Sequence, residues 1–129
     1  MKVCVIGNVN LNGVSVDVID ITINELIQSL RADGHSNLVF MFGGAEGVSS
    51  IAEDVVKYNK YDTVVFKPWS IVDHKLKFHP SQFFFRNKQA IDNSDIVVFI
   101  LTRGVDTETK RAMDYCVKHK LPYSIVEIN

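Results

Sequence analysis

The sequence predicts an α/β fold: a Rossmann-like, doubly wound sheet of five parallel strands with helices on both faces, in a single domain. Three observations support this prediction. Short apolar runs alternate with longer segments of helical periodicity along the whole chain. The runs lack polar alternation, which is typical of strands buried on both faces of a parallel sheet. A length of 129 residues is enough for one hydrophobic core of ordinary size.

The composition argues against several classes of protein. Hydrophobic residues make up 47% of the chain, and Lys+Arg 14 against Asp+Glu 15 leaves a net charge of -1. Such a chain has no basic field for a phosphate backbone, so we do not expect nucleic acid as a partner. No apolar run approaches the roughly 18 residues of a membrane span, and no leader is recognisable. We therefore expect no membrane partner and a cytoplasmic location.

The two cysteines, Cys4 and Cys116, lie in apolar strand and helix patterns. That setting is typical of small core residues rather than of a disulfide or a metal pair. We expect no metal site and no cofactor.

The first two strand–helix units occupy the N-terminal part of the chain. The first strand, residues 2–6, ends at Gly7-Asn8, and apolar residues at helical spacing predict a helix over residues 15–31 that stops at Asp33-Gly34. The next apolar run ends at Gly43-Gly44. The helix after it is predicted to bury Ile51, Ala52, Val55, Val56 and Tyr58.

The middle of the chain is less regular. Residues 63–66 predict a third strand, and residues 67–80 show no periodicity. We interpret them as a long loop, which in a compact domain is more often functional than idle. Ser81 then caps a predicted helix over residues 82–92.

The C-terminal part resumes the alternation. Residues 96–101 form the most hydrophobic predicted strand, which ends at Thr102-Arg103-Gly104. A helix over residues 107–119 follows, and a strand over residues 123–128 completes the pattern. The residues that this helix is predicted to bury are Ala112, Met113, Cys116 and Val117.

Three predicted strands end in residues suited to a ligand: Gly7-Asn8, the stretch 43–47 and Thr102-Arg103-Gly104. Because the carboxyl ends of parallel strands meet at one edge of the sheet, we expect all three to face one crevice. The glycines let backbone approach a ligand, and a following helix N-terminus suits phosphate or carboxylate. Arg86-Asn87 is a fourth candidate, since a guanidinium binds such groups bidentately.

Each candidate also has a structural interpretation. Gly43-Gly44 could simply turn the chain, because the sequence contains neither G-x-G-x-x-G after its first strand nor G-x-x-x-x-G-K-[ST]. Trp69 could pack in the loop rather than stack on a base. Arg86 could pair with Asp92, Asp95 or Glu46. Phe78 and Phe83 to Phe85 exceed what one helix face buries, and this surplus predicts a subunit contact and a homo-oligomer.

The segments FGGAEGVSSIAEDV, FKPWSIVDHKLKFHPSQFFFRNKQAIDNSDIVVFI and RGVDTETKRAMDYCVKHKLPYSIV follow one another in the chain. Together they resemble the short, stand-alone members of the SLOG superfamily, which are found in bacteria and their phages. That superfamily also contains the LOG phosphoribohydrolases, the DNA-processing protein DprA and ligand-sensing domains of defence proteins. The resemblance covers nearly the whole chain, and its specificity lies in the combination.

The resemblance assigns roles to particular positions. Gly43, Gly44 and Gly47 match the glycine turn, Trp69 the loop tryptophan, Arg86 and Asn87 an Arg-Asn pair, and Thr109 the threonine of a Gly-Thr helix start. With the strand ends added, the predicted ligand-binding residues are Gly7, Asn8, Gly43, Gly44, Glu46, Gly47, Trp69, Arg86, Asn87, Thr102, Arg103, Thr107 and Thr109.

Two departures from the family pattern bear on chemistry. Glu108 replaces the glycine before Thr109, and Ala112 stands where the hydrolase branch carries a glutamate that is held to support cleavage of an N-glycosidic bond. We therefore predict a binding module for a nucleotide or nucleotide-derived molecule, such as an ADP-ribose-like or cyclic signal. The family context implies a phage or bacterial sponge or sensor in defence signalling.

Two alternatives stay open. The chain could be a phosphoribohydrolase acting on nucleoside monophosphates, with Glu46 or Glu108 as a weak catalytic candidate in place of the missing carboxylate and Asp95 as a further acidic group. Contact with single-stranded DNA, in the manner of DprA, is a weaker alternative because the charge is near neutral.

Overall fold

The computed structural model describes residues 1–66, 69–72, 75–78 and 82–129. Its helices and strands alternate as the sequence predicts, except that two short strands follow the third strand before the next helix. Their bounds are β1 Lys2–Gly7, α1 Val16–Ala32, β2 Val39–Phe42, α2 Val48–Tyr58, β3 Asp62–Val65, β4 Trp69–Val72, β5 Lys75–Phe78, α3 Gln82–Asp92, β6 Ile96–Thr102, α4 Thr107–Lys118 and β7 Tyr123–Ile128.

Five of the strands form one parallel sheet in the order β3-β2-β1-β6-β7. The chain adds β2 and β3 on one side of β1, then crosses back to add β6 and β7 on the other side. The switch point of this doubly wound sheet therefore lies between β1 and β6. The predicted fold class is confirmed.

Two hydrophobic cores lie on the two faces of the sheet. Helices α1 and α2 cover one face, where Val5, Phe40 and Ile100 are fully buried. Helices α3 and α4 cover the other face, where Ile6 and Phe99 are buried. Successive strand residues alternate between the two cores, so the strands are buried on both faces and read as continuous apolar runs.

Local signals set the helix ends. Ser15 caps α1 by accepting a hydrogen bond from the Val18 backbone N–H, and α1 ends at Asp33, before Gly34 with a φ of +95°. The predicted capping role of Ser81 lies outside the described residues. Within the described ranges, no helix combines the length and apolarity needed to cross a bilayer.

The structure corrects the predicted loop over residues 67–80. Strands β4 and β5 lie within it and pair with each other in antiparallel register, from Trp69 opposite Phe78 to Val72 opposite Lys75. Each strand has only four residues, too short for the periodicity expected of a strand to stand out. The alternation of lysines with Leu76 and Phe78 was the available signal.

Two residues predicted to be buried are exposed instead. Tyr58, at the last position of α2, is 87% exposed, and Val117 of α4 is 59% exposed. Both occupy helical positions close to the buried stripe but rotated away from it, so an apolar side chain there does not imply burial. Cys4 and Cys116 are buried core residues, as predicted.

Candidate functional site

The candidate site lies at the carboxyl edge of the parallel sheet. The ends of β2, β1 and β6 are adjacent there, and these are the strands that carry the three predicted ligand-facing turns. Helices α1, α2 and α4 begin at this edge, because each directly follows a strand of the parallel sheet. The geometry that the sequence predicts, with three turns on one edge, is present.

Asn8 lies at the centre of this edge and is 1% exposed. Its side-chain Nδ2 donates to the carbonyl oxygen of Thr102 at 3.3 Å, to Thr102 Oγ1 at 3.1 Å and to the carbonyl oxygen of Gly104 at 2.8 Å. Its Oδ1 accepts from the Asp106 backbone N–H at 3.1 Å. The whole amide is thus committed to tying the end of β1 to the end of β6 and the start of α4.

Asp106 belongs to the same hydrogen-bond network as Asn8, although the sequence pattern did not single it out. Its Oδ1 accepts from the Thr109 backbone N–H at 2.8 Å and caps α4, and its Oδ2 accepts from the Val9 backbone N–H at 2.8 Å. An Asp directly before a helical segment is a capping signal that could have identified it. Thr109 is buried here, whereas Thr107 at the first turn is exposed.

Thr102 and Arg103 hold the end of β6 against the loop that follows β1. Thr102 is fully buried, and its Oγ1 donates to the carbonyl oxygen of Asn10 at 3.0 Å. Arg103 is exposed, has a φ of +51°, and its guanidinium donates to the carbonyl oxygen of Asn12 at 3.1 Å. These contacts order the rim of the edge.

The start of α2 differs from the starts of α1 and α4. Gly47 is its N-cap, with a φ of +74° and no side-chain hydrogen bond to the helix, and its first turn contains no acidic residue. By contrast, Ser15 and Asp106 cap α1 and α4, whose first turns also carry an acid. The partial positive charge at the start of α2 is therefore not offset by a capping side chain.

Gly47 is also required sterically. A Cβ there would lie 2.2 Å from the carbonyl oxygen of Val9 and 2.5 Å from that of Asn8. The Val48 N–H donates to the same Asn8 oxygen at 3.0 Å. Any side chain at Gly47 would push α2 away from the end of β1, where Gly7 accommodates Val48 in the same way.

Gly43 and Asn87 are brought together by the packing of α3 on the end of β2. Asn87 is 4% exposed, and a Cβ on Gly43 would lie 2.1 Å from its Oδ1 and 3.1 Å from its backbone nitrogen. Two positions that the sequence assigned to different motifs thus form one contact. Gly44 follows in the turn and is half-buried.

Arg86 precedes Asn87 on α3 and is half-buried. Its guanidinium donates to Gln89 Oε1 at 2.6 Å and lies 5.6 Å from the centre of the Phe85 ring. Its Nε is buried and has no hydrogen-bond partner among the described residues. Within that part of the chain, none of the ion pairs considered for Arg86 with Asp92, Asp95 or Glu46 is formed.

The seam between α3 and α4 holds the other acidic candidate. Glu108 Oε1 accepts from Arg111 at 3.4 Å, while Glu108 Oε2 is buried without a partner in the described parts of the chain. The Arg111 guanidinium also lies 4.1 Å from the centre of the Phe84 ring. Glu46 lies apart from this seam, exposed just before α2.

For the remaining candidates, Trp69 and the phenylalanines, the structure describes only some of the side chains. Trp69 begins β4, and its side chain lies outside the described part of the structure. Of the phenylalanines predicted to be in surplus, Phe85 is 52% exposed and Phe84 half-buried, while the side chains of Phe78 and Phe83 lie outside that part.

The cysteines are not suited to nucleophilic chemistry. Burial raises the pKa of the Cys4 thiol far above its usual range and raises the pKa of Cys116 to about 11. Both therefore stay protonated at neutral pH. In the ranges that the structure describes, no cluster of three His, Cys, Asp or Glu side chains is arranged to hold a metal ion.

No protein-family model matches this sequence, and no curated protein is similar to it by sequence comparison. Among solved structures, the chain is similar to DNA processing protein A from Helicobacter pylori, described for its single-stranded DNA binding mode. The TM-score is 0.72 at 19% identity, over 100% of this chain and 66% of that one. It is also similar to TM1055, a structural genomics target, with a TM-score of 0.66 at 21% identity over 95% of this chain and 71% of that one.

At these identities the similarity establishes the fold. The chain spans 66% of the length of DNA processing protein A.

Proposed function

We propose that the protein is a binding module for a nucleotide or nucleotide-derived small molecule, held at the carboxyl edge of the parallel sheet. The observation that carries the proposal is the start of α2, which has a glycine cap and no acidic first turn. A helix N-terminus without a capping side chain, at the edge of a doubly wound sheet, favours phosphate. Arg86 lies on α3, which packs on the end of β2 from the other face of the sheet, and its buried Nε is unpartnered among the described residues.

Each part of the edge has a role in this proposal. The α2 N-terminus and the Gly43-Gly44 turn contact a phosphate, and the Arg86 guanidinium adds charge-assisted hydrogen bonds. Glu46, exposed just before α2, accepts from ribose hydroxyls. The hydrogen bonds of Asn8, Thr102 and Asp106 hold these groups in place. An ADP-ribose-like molecule or a cyclic nucleotide signal presents this chemistry, and sequestering or sensing such a signal is the role we propose.

One observation favours the alternative of a phosphoribohydrolase. The buried Glu108 Oε2 atom has no hydrogen-bond partner in the described ranges, and a buried polar atom without a partner costs free energy that a bound ligand could offset. N-glycosidic cleavage needs a carboxylate near the anomeric carbon. Ala112 supplies none where the hydrolase branch has one, so binding remains ahead of catalysis.

The test is to incubate the protein with nucleoside monophosphates and NAD-related nucleotides. Binding is followed by calorimetry and release of free base by chromatography. The proposal expects binding without base release. Sustained base release that Glu108→Gln abolishes, while Glu53→Gln, whose carboxylate pairs with Lys57 along α2, does not, would establish the hydrolase instead. An unstructured DNA oligonucleotide in the same panel tests the activity described for the Helicobacter pylori protein.

A further inference from the structure

The edge strand β7 is a second surface that the proposed site does not explain. All six of its residues pair with β6 in unbroken register, from Tyr123 opposite Val97 to Ile128 opposite Thr102. Its sequence, YSIVEI, contains no Lys, Arg or Pro. Edge strands usually carry such residues, or a bulge, to prevent pairing with another chain.

The hydrogen bonds to β6 show which backbone groups of β7 point outward. The Val97 N–H donates to the Pro122 carbonyl at 3.1 Å, and the Arg103 N–H donates to the Ile128 carbonyl at 2.9 Å. In a parallel ladder alternate residues bond to one neighbour, so the even-numbered residues of β7 face β6. The N–H and C=O groups of Tyr123, Ile125 and Glu127 therefore point away from the sheet.

The same three residues carry their side chains on the α4 face. The Tyr123 ring meets the buried Phe99 ring edge-on at 6.0 Å, and side chains alternate along a strand, so Ile125 and Glu127 share that face. Tyr123 is 40% exposed and Ile125 43% exposed. Val117 is 59% exposed on the flank of α4 opposite the one that contacts α3. An apolar surface therefore borders the free backbone edge.

We propose that β7 pairs antiparallel with β7 of a second copy of this chain and joins the two sheets into one. In an antiparallel ladder, two directly opposed residues exchange both hydrogen bonds when the backbone N–H and C=O groups of each point towards the other strand. A two-fold axis through Ile125 meets this condition: it sets Ile125 against itself and Tyr123 against Glu127 of the other copy. The surface is thus self-complementary in register.

The charges agree with the same arrangement. Lys120 is exposed just before the first residue of β7. In the antiparallel pair, the other copy brings its Glu127 to this same end of β7. Antiparallel pairing places these opposite charges at the same end of the joined strands, whereas parallel pairing would set Glu127 beside Glu127. Ile125 at the axis is uncharged, so no like charges face each other.

The first test is the mass of the intact protein in solution, by sedimentation over a wide range of concentration. The wild type is expected at twice the mass of the 14.6 kDa chain. Ile125→Glu sets two carboxylates face to face and is expected to raise the dimer dissociation constant at least about tenfold. The matched control is Ile21→Glu, the same change at a 57% exposed position on α1, which is expected to stay dimeric.

The second test is independent of any loss of folding. Directly opposed residues of a hydrogen-bonded antiparallel pair have Cα atoms about 5.5 Å apart, within the range of a disulfide. Ile125→Cys is therefore expected to form a covalent dimer on oxidation. A Ser124→Cys thiol would meet Val126 of the other copy and is expected not to cross-link.

Three results would overturn the proposal. The first is a wild type that is monomeric, and the second is an equal dimer dissociation constant for Ile125→Glu and Ile21→Glu. The third is a Ser124→Cys variant that cross-links as readily as Ile125→Cys.

Discussion

Asn8 is the residue on which the geometry of the carboxyl edge depends most. A single buried amide satisfies two carbonyl oxygens, a hydroxyl and a backbone N–H from the β6–α4 connection. Loss of that amide leaves buried polar groups without partners, and each such group costs about 1–3 kcal/mol. The end of β6 at Thr102 and the following loop at Gly104 are held by a side chain that lies 94 and 96 residues away in sequence.

We therefore expect Asn8→Ala to lower the free energy of unfolding by about 2–4 kcal/mol in urea denaturation, with an unchanged m-value. The matched control is Asn93→Ala. It removes one exposed hydrogen bond from the Asn93 side-chain amide to the Gln89 carbonyl oxygen and is expected to cost less than about 1 kcal/mol. Equal midpoints for the two variants would show that the Asn8 network contributes nothing to stability.

Gly43 and Asn87 form a second residue-scale contact that can be tested. A methyl group on Gly43 would overlap Asn87 Oδ1, so Gly43→Ala is expected to destabilise the fold by about 1–3 kcal/mol. If this overlap is the cause, Asn87→Ala removes the obstructing oxygen, and the double variant is expected to lose at least about 1 kcal/mol less than the sum of the single losses. Strict additivity would mean that the two residues do not touch.

For single residues, the sequence predicted where in the fold they lie better than which groups within the chain their side chains contact. Asn8 and Thr102 were predicted as ligand contacts because each follows a strand, and both do lie at the expected edge. Their side chains bond to each other, which no local pattern reveals because 94 residues separate them. Asp106 was not predicted, although an Asp directly before a helical segment is a recognisable capping signal.

Among the elements, α3 and α4 are joined by one short hydrogen bond. The Tyr115 hydroxyl donates to Asp92 Oδ1 at 2.6 Å. This bond, with a smaller contribution from burial, raises the pKa of Tyr115 to about 12. Because the folded state favours the protonated phenol, its contribution to stability is complete below the usual tyrosine pKa near 10 and is lost as pH rises through about 12.

An alkaline titration followed by tyrosinate absorbance is expected to show a late step at about pH 12 that Tyr115→Phe removes. Asp92→Asn, which removes the carboxylate but keeps an acceptor, is expected to move that step towards 10. If all tyrosines ionise together in the wild type, the bond between the helices does not exist in solution.

Most of the helices and strands could be predicted from the sequence. For the helices and strands whose bounds were predicted, which leaves out β2 and α2, the predicted and observed ends differ by no more than one residue. The exception is the β4–β5 hairpin, where four-residue strands give too little periodicity to distinguish from a loop. Helix faces were predicted less well at their margins, as Tyr58 and Val117 show.

For the whole molecule, alternation of apolar strands with amphipathic helices was sufficient to predict the doubly wound sheet, and the TM-score of 0.72 to DNA processing protein A agrees with it. Function is harder to infer, because one fold supports many sites. We therefore infer function from the chemistry of one edge, where the start of α2, which lacks a capping side chain, and the guanidinium of Arg86 are suited to a phosphate.

The most direct measurement is isothermal titration of the wild type with ADP-ribose, a cyclic nucleotide, a nucleoside monophosphate and the phosphate-free nucleoside. Arg86→Lys and the matched control Arg31→Lys, at the opposite end of the sheet, are titrated in parallel. The account predicts binding of at least one phosphate-bearing ligand, none of the bare nucleoside, and a loss of about 1–3 kcal/mol in Arg86→Lys alone, because lysine lacks the planar fork. Absence of binding across the panel, or equal affinity in Arg86→Lys and wild type, would contradict it.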